Sequence, residues 1–247
     1  MKTLIILHGW DSSKEKWGKV KEFLESNDIR VITLDLPGFK EENKLVRVWN
    51  LDNYSQWLKE FIRKIKDIRE FNGFSKFFLI GHSFGGRIAI KFAANYPELL
   101  SGLILVSSAG IKRKKNYFFL FLSKIFNFVM KLPILNRTKP FFRGMFYKYL
   151  LRQTDYLKAQ EASNFLKETF KNIIDEDLSP DLSKIKTPTL ILWGEKDKMT
   201  PINDAYLMAK LITNSKLEIL EGLSHAPHLE NPAFLVSKIK EFLLTLT

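Results

Sequence analysis

The chain has 247 residues, 45% of them hydrophobic, with neither proline nor glycine enriched, so intrinsic disorder is excluded and one domain, with room for an insertion, is expected. No uncharged apolar run approaches the ~20 residues of a membrane-spanning helix, and the absence of cysteine removes disulfides, thiolate metal sites and cysteine nucleophiles, so a soluble, cytoplasmic protein is expected. The net charge of +12 is concentrated: Leu99 to Thr154 contains no acidic residue but eleven lysines and arginines.

The opening MKTLIIL stops at His8 without a small-residue cleavage site and reads as a first strand rather than a signal peptide. Five further apolar runs follow in chain order: VITLD (31–35), FFLIG (77–81), GLILV (102–106), TLILW (189–193) and KLEIL (216–220). Helical patterns lie between them at Trp17–Glu25, Tyr54–Phe71, Gly85–Asn95 and Ala205–Leu211, and Phe234–Leu244 closes the chain. Near-continuous apolar strands alternating with helices imply a parallel sheet covered on both faces, an α/β fold.

Between Gly110 and about Lys186 the strand rhythm gives way to aromatic-rich helical segments, so the chain divides into a core of residues 1–110 and 186–247 and a helical insertion of residues 111–185. Reactive groups of an open parallel sheet gather at the carboxyl ends of its strands. The first strand ends in His8-Gly9-Trp10 and the third in GHSFGG (81–86). The fifth is followed by WGEKDKMTP with Asp197, and the sixth leads to GLSHAPHLENP with His225. In GHSFGG the glycines permit a tight strand-to-helix turn that exposes Ser83. A serine hydroxyl is a weak nucleophile at neutral pH and needs an imidazole to take its proton, and Ser, Asp and His follow one another in that order. Asp35 and Glu195 also lie near strand ends, so position alone does not exclude either as the acid, although DLPG around Asp35 reads more simply as a turn.

These motifs, from HGW through DLPGF, GHSFGG, WGEKDKMTP and SHAPHLENP, resemble the α/β-hydrolase family over essentially the whole chain. The resemblance implies Ser83 as nucleophile, His225 as general base and then acid, Asp197 as the residue that orients the imidazole, and the backbone N–H groups of Trp10 and Phe84 as an oxyanion hole. His225 is preferred to His228 because His225, Glu230 and Pro232 reproduce the family's spacing. His8 is assigned to support of the Trp10 loop, and His82 is expected to point away from the serine. The fourth strand ends in Ser107-Ser108-Ala109, which removes the acid position used by some relatives. With Met1 directly before the first strand, six strands, all parallel, are expected. Lys40 departs from the family at a position where glycine is frequent, leaving one loop near the pocket open.

The resemblance also makes the insertion a cap, with substrate choice set within it. Phe118, Phe119, Phe142, Phe146 and Arg143 are candidate substrate contacts, the phenylalanines competing with a role as cap core. The basic charge has three readings: attraction of an anionic substrate, peripheral contact with an anionic membrane, or solubility of an aromatic-rich lid. KRKK at 112–115 stands alone, so no nucleic-acid partner is expected. The expected activity is hydrolysis of a carboxylic ester, lactone or thioester with an apolar acyl or aryl group through an acyl-enzyme, without metal or organic cofactor. Serine at position 83 argues against the haloalkane dehalogenase and epoxide hydrolase branches. Alternatives are hydrolysis of a carbon–carbon bond in a vinylogous diketone acid, with Arg137, Arg143 or Arg152 on its carboxylate, and a receptor with little turnover. Nothing in the sequence fixes an oligomeric state.

Overall fold

A computed structural model describes residues 1–66, 75–112 and 164–246. Six strands form one sheet: β1 (Lys2–Leu7), β2 (Ile29–Leu34), β3 (Phe77–His82), β4 (Leu100–Val106), β5 (Thr189–Gly194) and β6 (Ser215–Leu220). Their order is β2-β1-β3-β4-β5-β6 and every pairing is parallel, as expected. The pleat sends alternate side chains to opposite faces. Ile5 and Leu7 thus join one apolar cluster while Leu4 and Ile6 join the other. β3 is buried at all six positions, whereas β6, at an edge, is buried only at Leu220.

The described helices are α1 (Gly18–Leu24), α2 (Leu51–Lys66), α3 (Phe84–Asn95), α4 (Asn164–Asp175), α5 (Ser179–Leu182), α6 (Ile202–Leu211), α7 (Pro227–Glu230) and α8 (Pro232–Leu244). Helices α1 and α8 cover one face through Val20, Leu24, Leu235, Ile239 and Phe242. The other face is covered by α2, α3, α4 and α6 through residues such as Leu58, Ile88, Phe170 and Met208. None is long and apolar enough to cross a membrane.

Of the helices that begin earlier than hydrophobic periodicity indicates, two do so for a capping reason. Asn50 and Asn53 exchange side-chain-to-backbone bonds (3.0 and 2.9 Å), which starts α2 at Leu51 instead of Tyr54. Asn231 Oδ1 accepts the Phe234 N–H (3.0 Å) and Pro232 takes the first helical position, so α8 starts two residues before the expected Phe234. Within the expected insertion, α4 and α5 pack directly on the core: Leu166, Phe170, Ile173 and Leu182 belong to the same cluster as Ile5 and Leu7.

Candidate active site

The β3-to-α3 turn is built by exclusion. A Cβ on Gly81 would meet Gly85 O at 2.6 Å, one on Gly85 would meet Leu7 O at 2.3 Å, and one on Gly86 would meet Ser108 Oγ at 2.0 Å. Any side chain at these three places would wedge β3, α3, β1 and the end of β4 apart. Ser83 between them has φ 51° and ψ −112°, a strained backbone that costs roughly 1–3 kcal/mol and persists only when its surroundings over-determine it. Here they do: Ser83 N–H donates to Val106 O (3.2 Å), and Ser83 O accepts from Gly86 N–H (3.0 Å) and Ala109 N–H (3.0 Å). The backbone N–H of Phe84, first residue of α3, and that of Trp10 have no acceptor among the described residues.

At the neighbouring strand ends, Asp197 presents a carboxylate buried completely from solvent. Oδ1 accepts from Met199 N–H (2.8 Å) and Thr200 N–H (2.9 Å). Oδ2 accepts from the Thr200 hydroxyl (2.7 Å) and from His225 Nδ1 (2.8 Å). Burial alone would raise the carboxyl pKa, but the bonds from His225 and Thr200 outweigh it and hold Asp197 below its ordinary value. A carboxylate only accepts, so His225 Nδ1 carries a hydrogen, and in the neutral ring Nε2 presents a lone pair.

The loop carrying His225 is fixed from three sides. Glu230 accepts from Ser224 N–H (2.8 Å) and Ala226 N–H (3.3 Å). Gly194 leaves room for Ser224 O, which a Cβ there would meet at 2.0 Å. His82, adjoining the serine in sequence, donates its Nε2–H to His225 O (2.8 Å), which turns it away from Ser83 and makes it a tie between the Ser83 turn and the His225 loop. Ser83 Oγ itself forms no hydrogen bond to the His225 imidazole, an arrangement common before substrate binds.

The other expected residues also have definite places. His8 accepts the Leu36 N–H at Nε2 (3.0 Å) and bonds Gly9 O through Nδ1 (2.7 Å), fixing the loop before Trp10. His228 stacks on Trp17 at 4.3 Å and 4°, with burial pushing its pKa down to about 3. Asp35 is paired with Lys14 (3.1 Å) and Glu195 accepts the Gly222 N–H (2.9 Å), so both alternative acids are engaged elsewhere. Lys40 reaches Glu15 (3.3 Å) while its backbone N–H donates to Asn43 Oδ1 (3.0 Å), closing the loop that holds Phe39 against Trp10. Phe118, Phe119, Phe142, Phe146 and Arg143, like Arg137 and Arg152, lie outside the described residues. Among the described residues no cluster of histidine, aspartate and glutamate is arranged to hold a metal ion.

The family model for the alpha/beta hydrolase fold matches residues 2–232. The chain belongs to that family. Human monoacylglycerol lipase ABHD6 is 28% identical over 98% of this chain and 75% of its own length. A membrane phospholipase A described as a bacterial virulence factor superposes with a TM-score of 0.73 at 25% identity, covering 99% of this chain and 79% of that one. MenH from S. aureus superposes with a TM-score of 0.68 at 28% identity, covering 99% and 94%. The protein is thus an α/β hydrolase whose relatives include enzymes named for ester cleavage.

Three residues of this hydrolase's candidate site have hydrogen-bonding roles that the motifs do not state. Thr200 supplies two of the four bonds on Asp197, Glu230 braces the His225 loop, and His82 links the two halves. The signal for Glu230 was present in its spacing from His225. Thr200 and His82 stand inside the quoted motifs WGEKDKMTP and GHSFGG, but nothing in those motifs names their hydrogen-bond partners.

Proposed function

We propose that the protein is a serine hydrolase that cleaves a carboxylic ester with an apolar acyl or aryl group through an acyl-enzyme. The observation that carries this reading is the buried Asp197–His225 bond, 2.8 Å long, which commits the hydrogen to Nδ1 and leaves Nε2 as the base, beside a serine held on a strained turn. Ser83 Oγ attacks the ester carbonyl carbon as its proton passes to His225 Nε2, and Asp197 stabilises the resulting imidazolium. The carbonyl oxygen becomes an oxyanion facing the N–H groups of Trp10 and Phe84, the second at a helix start where the dipole favours negative charge. Collapse expels the alcohol, which takes the proton from Nε2. Water then attacks the acyl-enzyme by the same route, giving its proton to His225, and the acid leaves as Ser83 is reprotonated.

Residues 111–185 are read as the cap that selects the substrate. Relatives named monoacylglycerol lipase and membrane phospholipase A support a substrate with a long acyl chain presented at a lipid surface, and the basic stretch 112–152 gives that surface contact an electrostatic basis. The test is nitrophenol release from acyl esters of increasing chain length. A rate that peaks at one length and falls about 10⁴-fold or more in Ser83→Ala is expected, together with fluorophosphonate labelling lost in the same variant. An unchanged rate in Ser83→Ala would sink the nucleophile assignment, and ligand binding without turnover or labelling would point to a receptor.

A further inference from the structure

Helix α4 is fastened to the core at its middle and at its carboxyl end. Thr169, fully buried, accepts the Trp49 N–H at its hydroxyl (2.8 Å). Arg87, buried in the first turn of α3, donates Nη1 to Ile173 O (2.8 Å) and Glu176 O (3.0 Å), tying the carboxyl end of α4 to the helix that follows Ser83. Between these anchors Phe170 lies with its ring 4.7 Å from the Trp10 indole.

Trp10 is gripped by three rings: Phe170, Phe39 at 4.9 Å and Phe84 at 5.2 Å, the last two edge-on. The chain bends sharply just beyond it, Asp11 having φ 49°. The Gly9–Trp10 peptide is thus held at its carbonyl by His8 Nδ1 (2.7 Å), while the packing of the indole holds the residue that carries its N–H. Two of the three rings belong to parts of the chain fixed for other reasons, Phe84 by α3 and Phe39 by the loop that Lys40 and Asn43 close. The third arrives on α4.

We propose that Phe170 is a positioning residue for the oxyanion hole: carried on a helix braced against α3, its ring locks the Trp10 indole against Phe84 and fixes the aim of the Trp10 N–H. This rests on the reading of Ser83 as nucleophile with Trp10 and Phe84 as oxyanion donors. Such donors act at 2.7–3.1 Å from the developing charge, and a displacement of about 1 Å costs on the order of 10²-fold in rate. A side chain reaching the reaction only through Trp10 is thereby able to control the rate without touching substrate.

The experiment compares Phe170→Ala, Phe170→Leu and Phe170→Tyr with the unaltered protein. Its substrate is nitrophenyl acetate, whose acyl group is too small to test the acyl pocket. Readouts are kcat and KM per fluorophosphonate-titrated serine, inhibition by a phenylboronic acid as a tetrahedral mimic, and the melting temperature. Phe170→Ala and Phe170→Leu are expected to lower kcat about tenfold or more, leave KM within about twofold, and weaken the boronic acid in proportion to kcat/KM. Phe170→Tyr, which keeps the ring, is expected to restore both. If Phe170→Ala does not fold, Phe170→Leu, which keeps most of the volume, decides alone. A Phe170→Leu protein with unaltered kcat, or altered only in KM or melting temperature, overturns the inference while the serine mechanism stands. An unaltered protein that neither labels nor turns over any ester overturns the mechanism, and the inference with it.

Discussion

The turn around Ser83 and the loops that carry Asp197 and His225 are specified by opposite means. Around Ser83 the sequence works by omission: three glycines stand where any Cβ would collide with backbone or with Ser108. Around Asp197 and His225 it works by supply, with Thr200, Met199 and Glu230 each delivering or receiving a directed hydrogen bond. A steric requirement admits one residue type and so is written as a motif. A hydrogen-bonding requirement admits several donors and leaves only a faint trace in the sequence.

The sharpest way to break this comparison is at the supply side, because there a change of one atom removes a function without altering shape. Asp197→Asn keeps the volume but presents an NH₂ group that favours the wrong imidazole tautomer, and kcat is expected to fall about 10⁴-fold. Steady-state kinetics on a nitrophenyl ester, with circular dichroism unchanged, is the check.

At the omission side the expected damage is to folding. Gly85→Ala places a methyl group 2.3 Å from Leu7 O, and neither β1 nor α3 is free to retreat. A loss of about 3 kcal/mol or more is expected, read as a lower urea midpoint. Unfolding at wild-type urea concentrations would show that the close approach is relieved elsewhere.

The smallest effect concerns histidines that neither donate to catalysis nor face solvent. Burial lowers the pKa of His8, His82 and His228, the last to about 3. Between that value and the unfolded value of about 6.5, the unfolded chain binds more protons, so stability is full above about pH 6.5 and is lost as the pH falls. Each histidine held neutral contributes a slope of about 1.4 kcal/mol per pH unit in that window. Asp197, with its pKa depressed, adds a further loss only below about pH 4. His228→Phe, which keeps the stack on Trp17, is expected to reduce the slope between pH 6 and 4 by about one proton, measured by urea titrations across that range. An unchanged slope would mean that His228 charges without cost.

The same contrast explains what was legible in advance. The six strands, their parallel arrangement and the tight turn around Ser83 follow from apolar runs and from glycines that admit no substitute, whereas Asp197 and His225 are singled out only by the resemblance of the motifs that carry them. The starts of α2 and α8 depend on Asn50 and Asn231, whose capping bonds shift the boundary away from the apolar periodicity. The packing of α4 against Trp10 is tertiary: nothing in NFLKETFKNIID, an amphipathic helix like any other, names the surface its apolar face will meet.

The bond from His82 to His225 spans 143 residues of chain, whereas the bond from His225 to Asp197 spans 28. Closing the longer loop costs about 1.4 kcal/mol more in chain entropy, and chains rich in contacts of such separation fold slowly. Asp197 and His225 can therefore meet within the last third of the chain, but their register with Ser83 depends on β3, which pairs with β1 and β4. The assembled cluster of Ser83, Asp197 and His225 is thus a property of the completed sheet rather than of any one stretch of the chain.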